Sequence, residues 1–175
     1  MNMMMKGGTR TVITFVSIAG LALLSSLTEG TLFRDCGDAA SVIHFSSIAS
    51  LPDPVIVGGN QTVVKKGWAD VDVPKSNFTA TFSQYWCPAS KEKCTSSWNT
   101  AGWPWIRFLK ININVCDDHP DMCPLARGKN FTTSAKHPPL SKLTPQGWYR
   151  SRQEYHGANG AIIGCADMII QYTKA

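Results

Sequence analysis

Residues 105–115, WIRFLKININV, show the clearest alternation of apolar and polar side chains in the chain. One face of this stretch carries Trp105, Leu109, Ile111, Ile113 and Val115, and it is interrupted by Arg107. The opposite face carries Lys110, Asn112 and Asn114. Alternation with a period of two residues over this length indicates a β-strand with one buried face.

The same alternation recurs along the chain. It is clear in Phe78–Trp86 and present in Trp68–Val73. Weaker strands are predicted at Val42–Ile48, Val55–Val57, Gln61–Lys66, Asn130–Ser134, Trp148–His156 and Ala161–Tyr172. Glycine- and proline-rich turns separate these segments, and none shows an apolar period of 3.6 residues over three turns. The pattern predicts a single all-β domain, either a β-sandwich or a small barrel.

Composition excludes several classes of protein. Of the 175 residues, 43% are hydrophobic, 10% aromatic and 17% charged, so the chain is too apolar to be disordered. The net charge of +5 is modest, and Lys65-Lys66 is the only adjacent basic pair, which argues against nucleic acid as a partner. A mean hydropathy of -0.10 excludes a protein that crosses a membrane many times.

The first thirty residues have the pattern of a secretory leader. Lys6 and Arg10 precede the uncharged, largely apolar run 11–24, and small or polar residues follow at 25–30. We therefore predict a signal peptide at residues 1–30 and a secreted domain at residues 31–175. An uncleaved membrane anchor is the alternative, but the run is shorter than the about 20 apolar residues that a membrane span needs.

Six cysteines lie outside this leader: Cys36, Cys87, Cys94, Cys116, Cys123 and Cys165. An even number in a secreted chain predicts three disulfides, whose pairing the count alone leaves open. Cys87 with Cys94, and Cys116 with Cys123, have the spacing of loops that are closed locally. A zinc site is the alternative, and it needs thiolates in a reducing compartment.

Three Asn-x-Thr triplets follow the predicted leader. Their asparagines, Asn60, Asn77 and Asn130, are acceptors for N-linked glycans in a secreted protein.

Candidates for catalysis are few, and we predict no catalytic residue, no metal site, no cofactor and no enzymatic activity. The sequence lacks a Gly-x-Ser-x-Gly elbow, and pairing of all six cysteines leaves no thiol nucleophile. Asp117, Asp118, His119 and Asp121 are either a metal-binding loop or a solvated turn. We favour the turn because no liganding spacing is matched.

Several motifs resemble one known family. They are FRDCG at 33–37, LPDPVIVGGN at 51–60, the segment 116–124, GWYR at 147–150 and IGC at 163–165. In order and spacing they are similar to the ML (lipid-recognition) domain family, and most similar to its ganglioside activator protein. The soluble Niemann-Pick type C sterol carrier belongs to the same family. The activator has eight cysteines and a longer cysteine-rich segment, and this departure argues against carrying over the activator's specific contacts with a hydrolase.

The resemblance implies an immunoglobulin-like β-sandwich of two antiparallel sheets with an apolar cavity between them. It also implies the disulfides Cys36–Cys165 and Cys116–Cys123, which leaves Cys87–Cys94. The implied function is a secreted or lysosomal lipid-binding protein that extracts, solubilises or transfers a glycolipid or related lipid and presents it to a hydrolase. The alternatives are a sterol carrier and a lipid-sensing co-receptor in innate immunity. A secreted enzyme is the third class of function.

The family pattern also suggests where a lipid enters. Candidate lipid-binding residues are Trp103, Pro104, Trp105 and Ile106 on one side of a mouth, Pro139, Leu140, Leu143 and Trp148 on the other, and Leu109 and Phe82 on strand faces. Arg107, Lys110, Lys142 and Arg150 are candidates to meet an acidic headgroup or the surface of an anionic membrane. The competing interpretation is ordinary core packing, which is the commoner role of Phe78, Phe82, Ile111 and Ile113 on strand faces.

Overall fold

The structure, a computed structural model, describes residues 30–76, 78–96, 98 and 104–174. The strands within these residues are β1 (Leu32–Asp35), β2 (Ile43–Leu51), β3 (Val55–Ile56), β4 (Gln61–Ala69), β5 (Thr79–Cys87), β6 (Ile106–Asn114), β7 (Asn130–His137), β8 (Gly147–His156) and β9 (Ile162–Thr173). The helices are α1 (Lys91–Thr95), α2 (Val115–Asp118) and a 3₁₀ turn at Pro120–Met122.

The strands form two layers that meet at one side. One layer has the order β6-β5-β8-β9, with β1 and β3 both paired to β9, and the other has the order β2-β4-β7. A single parallel pair, Ile43 with Gly164, joins the layers. The approach is so close that a Cβ on Gly164 would lie 2.8 Å from the Cβ of Ile43. Strands β6 and β7 are the free edges on the opposite side.

Side chains that alternate along each strand divide between an inner face, towards the other layer, and an outer face. Towards one end of the inner space a large cluster fills the gap and contains Phe45, Phe78 and Tyr155. In a smaller cluster, Tyr149 stacks on Tyr172 with ring centroids 4.2 Å apart. The inner space is therefore packed solidly in some places, and the remainder is open to a cavity.

The six cysteines form three disulfides: Cys36–Cys165, Cys87–Cys94 and Cys116–Cys123. These are the pairs that the family resemblance implies. The first spans 129 residues and ties the segment after β1 to β9, where the backbone N–H of Cys36 also donates to the carbonyl of Cys165. The other two close short loops that contain α1 and α2, respectively.

The predicted all-β sandwich is confirmed, with a few local corrections. The predicted strand Trp68–Val73 is wrong: β4 ends at Ala69, and Val73 makes only an isolated bridge to Leu125. The chain turns outward there, where Asp72 accepts a hydrogen bond from the backbone N–H of Arg127. The strand predicted at 105–115 is one residue shorter at each end, because β6 spans Ile106–Asn114 and Val115 begins α2.

Candidate functional site

A cavity of about 560 Å³ lies between the two layers, on their inner face. Its apolar wall includes Phe82, Leu109, Ile111, Ile113, Leu140 and Met168. Its polar groups include Gln61, Gln84, His119, His137, Ser151 and Gln153. A volume between roughly 300 and 1,000 Å³ with mostly apolar walls and a few placed polar groups is typical of sites for small molecules.

Edge strand β6 supplies one side of this wall. Leu109, Ile111 and Ile113 alternate along it and all line the cavity. The outermost two remain in contact with water, since Leu109 is 38% exposed and Ile111 is 44% exposed. Across the opening lie β7 and the segment that contains Pro139 and Leu140. The cavity is thus an apolar cleft whose mouth lies between the two free edges of the sheet.

Four of the predicted lipid-binding residues line this cavity: Phe82, Leu109, Pro139 and Leu140. Pro104, Ile106 and Leu143 do not line it; Ile106 is well exposed, and Leu143 is 91% exposed two residues beyond the lining residue Ser141. Trp103 lies outside the described residues. Of the predicted glycan acceptors, Asn60 and Asn130 are exposed, and Asn77 lies outside the described residues.

Trp105 and Trp148 are placed elsewhere. Both are buried with Ile169 against the Cys87–Cys94 disulfide, on the outer face of the β8–β9 layer. The reason is the register of β8: Tyr149 belongs to the inner face, so Trp148 points the opposite way. The structure therefore places these two aromatic side chains in a second core rather than at the mouth of the cavity.

The predicted headgroup cations also lie away from the cavity. Arg150 is fully buried on the outer face, where its Nε and Nη2 donate to the two carboxylate oxygens of Asp167 at 3.1 and 2.7 Å. Arg34 donates to the same carboxylate at 2.9 Å, and the Arg150 Nη1 donates to the carbonyl of Trp98. Arg107, Lys110 and Lys142 are exposed and do not line the cavity. Arg150 thus belongs to a satisfied ion cluster of the scaffold.

A different cation, Lys65, lies on the inner face. It is 2% exposed, and its Nζ donates to Gln153 Oε1 at 2.6 Å and to the hydroxyl of Tyr155 at 3.3 Å. Burial lowers the pKa of Lys65 to about 7, since removal from water disfavours the ammonium form. Among the residues that the structure describes, no carboxylate pairs with it.

Two histidines lie on the cavity wall near this lysine. His119, between α2 and the 3₁₀ turn, is buried, and its pKa falls to about 4 through burial and the nearby positive charges of Lys65 and His137. The pKa of His137, at the end of β7, is also lowered by burial and by Lys65. Both imidazoles are therefore neutral at pH 7.

Two further polar side chains, Gln84 and Gln61, line the cavity. Gln84 Nε2 donates to the hydroxyl of Tyr172 at 3.0 Å, and Gln61 Nε2 donates to Ser50 Oγ at 2.9 Å. Ser151 lies beside Gln84 in the β5–β8 ladder and is 2% exposed, and its Oγ has no hydrogen-bond partner within the described chain. A buried hydroxyl without a protein partner is costly, so this atom is available for a hydrogen bond to water or to a bound molecule.

The acidic loop gives no metal centre. Asp117 and Asp118 are exposed at the first turn of α2, and the carboxyl side chain of Asp118 reaches the cavity wall. The part of the chain that the structure describes contains no group of three or more His, Cys, Asp or Glu side chains placed to hold a metal ion. Nor does any helix there have the length and apolar character needed to cross a membrane.

Sequence comparison and structure comparison give different results. The sequence matches no protein-family model and no curated protein. A Niemann-Pick type C2 protein from the Japanese carpenter ant has a similar structure, with a TM-score of 0.53 at 19% identity, covering 81% of this chain and 99% of that chain. The C-terminal domain of wzt gives 0.52 at 9% identity, covering 82% and 79% of the two chains. Chicken MD-1 complexed with lipid IVa gives 0.42 at 11% identity, covering 80% and 96%. At these identities, the property that the chain shares with the first two structures is the fold.

Proposed function

We propose that this chain is a lipid-binding protein that takes the hydrocarbon part of a lipid into the cavity between its two layers. The observation that carries the proposal is the wall of β6, where Leu109 and Ile111 line a cavity and yet remain well exposed. Each methylene of a ligand that covers such a wall gains about 0.8 kcal/mol. An apolar cleft open to water is therefore suited to an apolar guest.

The finer form of the proposal is a carrier that extracts, solubilises or transfers a glycolipid or related lipid. The mouth between β6 and β7 supports it, because a sugar headgroup stays in water while the hydrocarbon enters. Leu143, exposed beside the basic Lys142 and just beyond Leu140 at the cavity, is suited to transient contact with a membrane surface. No reaction is assigned to the chain.

A vesicle assay tests this function. Purified protein is incubated with phosphatidylcholine vesicles that contain a fluorescent glycosphingolipid, and protein-bound lipid is separated from vesicles by gel filtration. We expect the wild type to elute with lipid. Ile111→Asn places an amide on the cavity wall and is expected to weaken binding at least tenfold, since a buried isoleucine is worth about 1.5–3 kcal/mol.

The matched control is Ile162→Asn, because Ile162 is 47% exposed, close to the 44% of Ile111, but does not line the cavity. It is expected to bind as the wild type does. Absence of protein-bound lipid from the wild type would overturn the proposed function, and equal loss in both variants would overturn the assignment of the cavity.

We also propose that residues 1–30 direct the chain into the secretory pathway, and that residues 31–175 form the secreted domain. Three disulfides support this route, because disulfides persist in oxidising compartments. Protein collected from the medium of cells that express the full chain should begin near Thr31 by N-terminal sequencing. A glycosidase that removes N-linked glycans should lower its apparent mass. Retention of residues 1–30 would contradict the cleavage.

A further inference from the structure

Gln153 lines the cavity, and the buried Lys65 donates to Gln153 from β4 without lining the cavity itself. An ammonium group has three N–H donors, and Lys65 uses two of them, on Gln153 and Tyr155. The hydroxyl of Tyr155 also donates to Gln153 Oε1, at 2.7 Å. Gln153 Oε1 therefore accepts twice, while its amide nitrogen makes no hydrogen bond within the described residues.

Ser151 adds a third donor on the same face. Ser151 and Gln153 are two residues apart on β8, hence about 7 Å apart along the strand, and both line the cavity. The Oγ of Ser151 is buried and without a partner in the described chain. A free ammonium proton on β4 and a free amide and a free hydroxyl on β8 thus lie on the inner face, and such donors fit acceptor oxygens with negative charge.

The pairing of β8, β5 and β6 next to these donors indicates where the rest of a ligand would lie. Gln153 on β8 is paired with Phe82 on β5, and Phe82 is paired with Ile111 on β6. Three neighbouring strands span about 10 Å, so one row of side chains runs from the polar donors to the exposed edge and becomes apolar on the way. A hydrocarbon chain whose polar end lies at Lys65 covers that row and leaves through the mouth.

We infer that the cavity takes a long-chain carboxylate with its head inward, so that the carboxylate lies against Lys65, Gln153 and Ser151 and the hydrocarbon chain runs along Phe82 and Ile111 to the mouth. The charged groups around this position are consistent with it. Lys136 is a further basic side chain on the cavity wall, and His119 and His137 are neutral imidazoles near Lys65. Asp118, the acidic side chain on the described wall, forms no ion pair with Lys65. The inference rests on the proposed uptake of hydrocarbon by this cavity. It gives the ligand a negative charge and an orientation opposite to that of a glycolipid whose headgroup stays in water.

The test compares hexadecanoic acid with 1-hexadecanol, which share a chain and differ in the head. Each competes at pH 7 with a fluorescent naphthylamine dye bound to the purified protein. We expect the acid to bind the wild type at least tenfold more tightly than the alcohol, since hydrogen bonds to charged groups are about twice as strong as neutral ones. Lys65→Met should bring the acid to the level of the alcohol and change alcohol binding less than threefold.

Lys66→Met is the matched control, since Lys66 is the neighbouring lysine on β4 and its side chain is exposed. It removes a lysine from the same strand and should preserve the tenfold preference. Ser151→Ala is a second, independent variant, and it should weaken acid binding three- to tenfold.

Equal binding of acid and alcohol to the wild type would overturn the inference and leave the proposed function standing. Failure of the wild type to bind the dye, the acid and the alcohol would overturn both. A preference for the acid that survives Lys65→Met and Ser151→Ala would also overturn the inference.

Discussion

Arg150 and Lys65 are two buried cations on strands of one sheet, and their surroundings are opposite. Arg150, on the outer face, is bound by both oxygens of Asp167 and by the carbonyl of Trp98. Lys65, on the inner face, has two neutral partners and no carboxylate among the described residues. The first arrangement completes a scaffold. The second leaves a buried charge and unused donors near the cavity, an arrangement that is common at functional sites.

Replacement of Arg150, the cation with a full set of partners, should have the largest effect on stability. Arg150→Met leaves the buried carboxylate of Asp167 with Arg34 alone, so we expect the free energy of unfolding to fall by about 3–5 kcal/mol. Denaturant titration at pH 7 measures it. A loss below about 1 kcal/mol would show that Asp167 is satisfied without Arg150 and would remove the contrast between the two cations.

Lys65→Met should raise the free energy of unfolding, which is the opposite of the effect of Arg150→Met, and by a smaller amount. Folding lowers the pKa of Lys65 from 10.5 to about 7, and each unit of pKa corresponds to about 1.4 kcal/mol. Lys65→Met removes that penalty but loses the hydrogen bonds to Gln153 and Tyr155. We expect a net gain of about 1–3 kcal/mol at pH 7, measured by the same titration.

The two variants should also differ in how their free energy of unfolding depends on pH. Between pH 7 and 9 the unfolded chain keeps the Lys65 proton that the folded chain gives up, so wild-type stability should rise with pH by at most about 1.4 kcal/mol per unit. The curve of Lys65→Met should be flatter, and its advantage should shrink as pH rises. Arg150→Met should keep the wild-type slope. Parallel curves for the wild type and Lys65→Met would contradict the unpaired, buried lysine.

The sequence was sufficient for most of the strands, although it missed β1 and misplaced Trp68–Val73. Period-two alternation predicted β5 and β6 within a residue or two at each end. The buried face expected of β6 is wrong, because this edge strand is exposed along nearly its whole length. Phe82 and Leu109 follow from the same alternation, and Pro139 and Leu140 from the resemblance. All four line the cavity.

The polar end of the site was not predictable because β4 is ambiguous. Its two faces begin with Gln61, Val63 and Lys65 on one side and with Thr62, Val64 and Lys66 on the other. Each set reads polar, valine, lysine, so alternation alone does not say which lysine is inside. Tertiary pairing decides it, since β4 lies between β2 and β7 and buries the face of Lys65.

The misplaced tryptophans have a different cause. Trp105 precedes β6, and Trp148 lies near the start of β8. At such positions an aromatic side chain suits either the mouth of a cavity or a core. The Cys87–Cys94 loop with α1 provides a second apolar surface outside the sheet, and both tryptophans pack against it. A resemblance between short motifs does not reveal such an additional layer.

The junction between the layers has a mechanical consequence. The layers share one paired position, Ile43 with Gly164, and the Cys36–Cys165 disulfide lies beside it, while β6 and β7 are not paired with each other. The two layers are therefore held together along one edge, while the opposite edges, β6 and β7, have no backbone pairing between them. No backbone ladder crosses the mouth between β6 and β7, so the width of the mouth depends on side-chain packing between the layers, such as that of Phe45 against Tyr155.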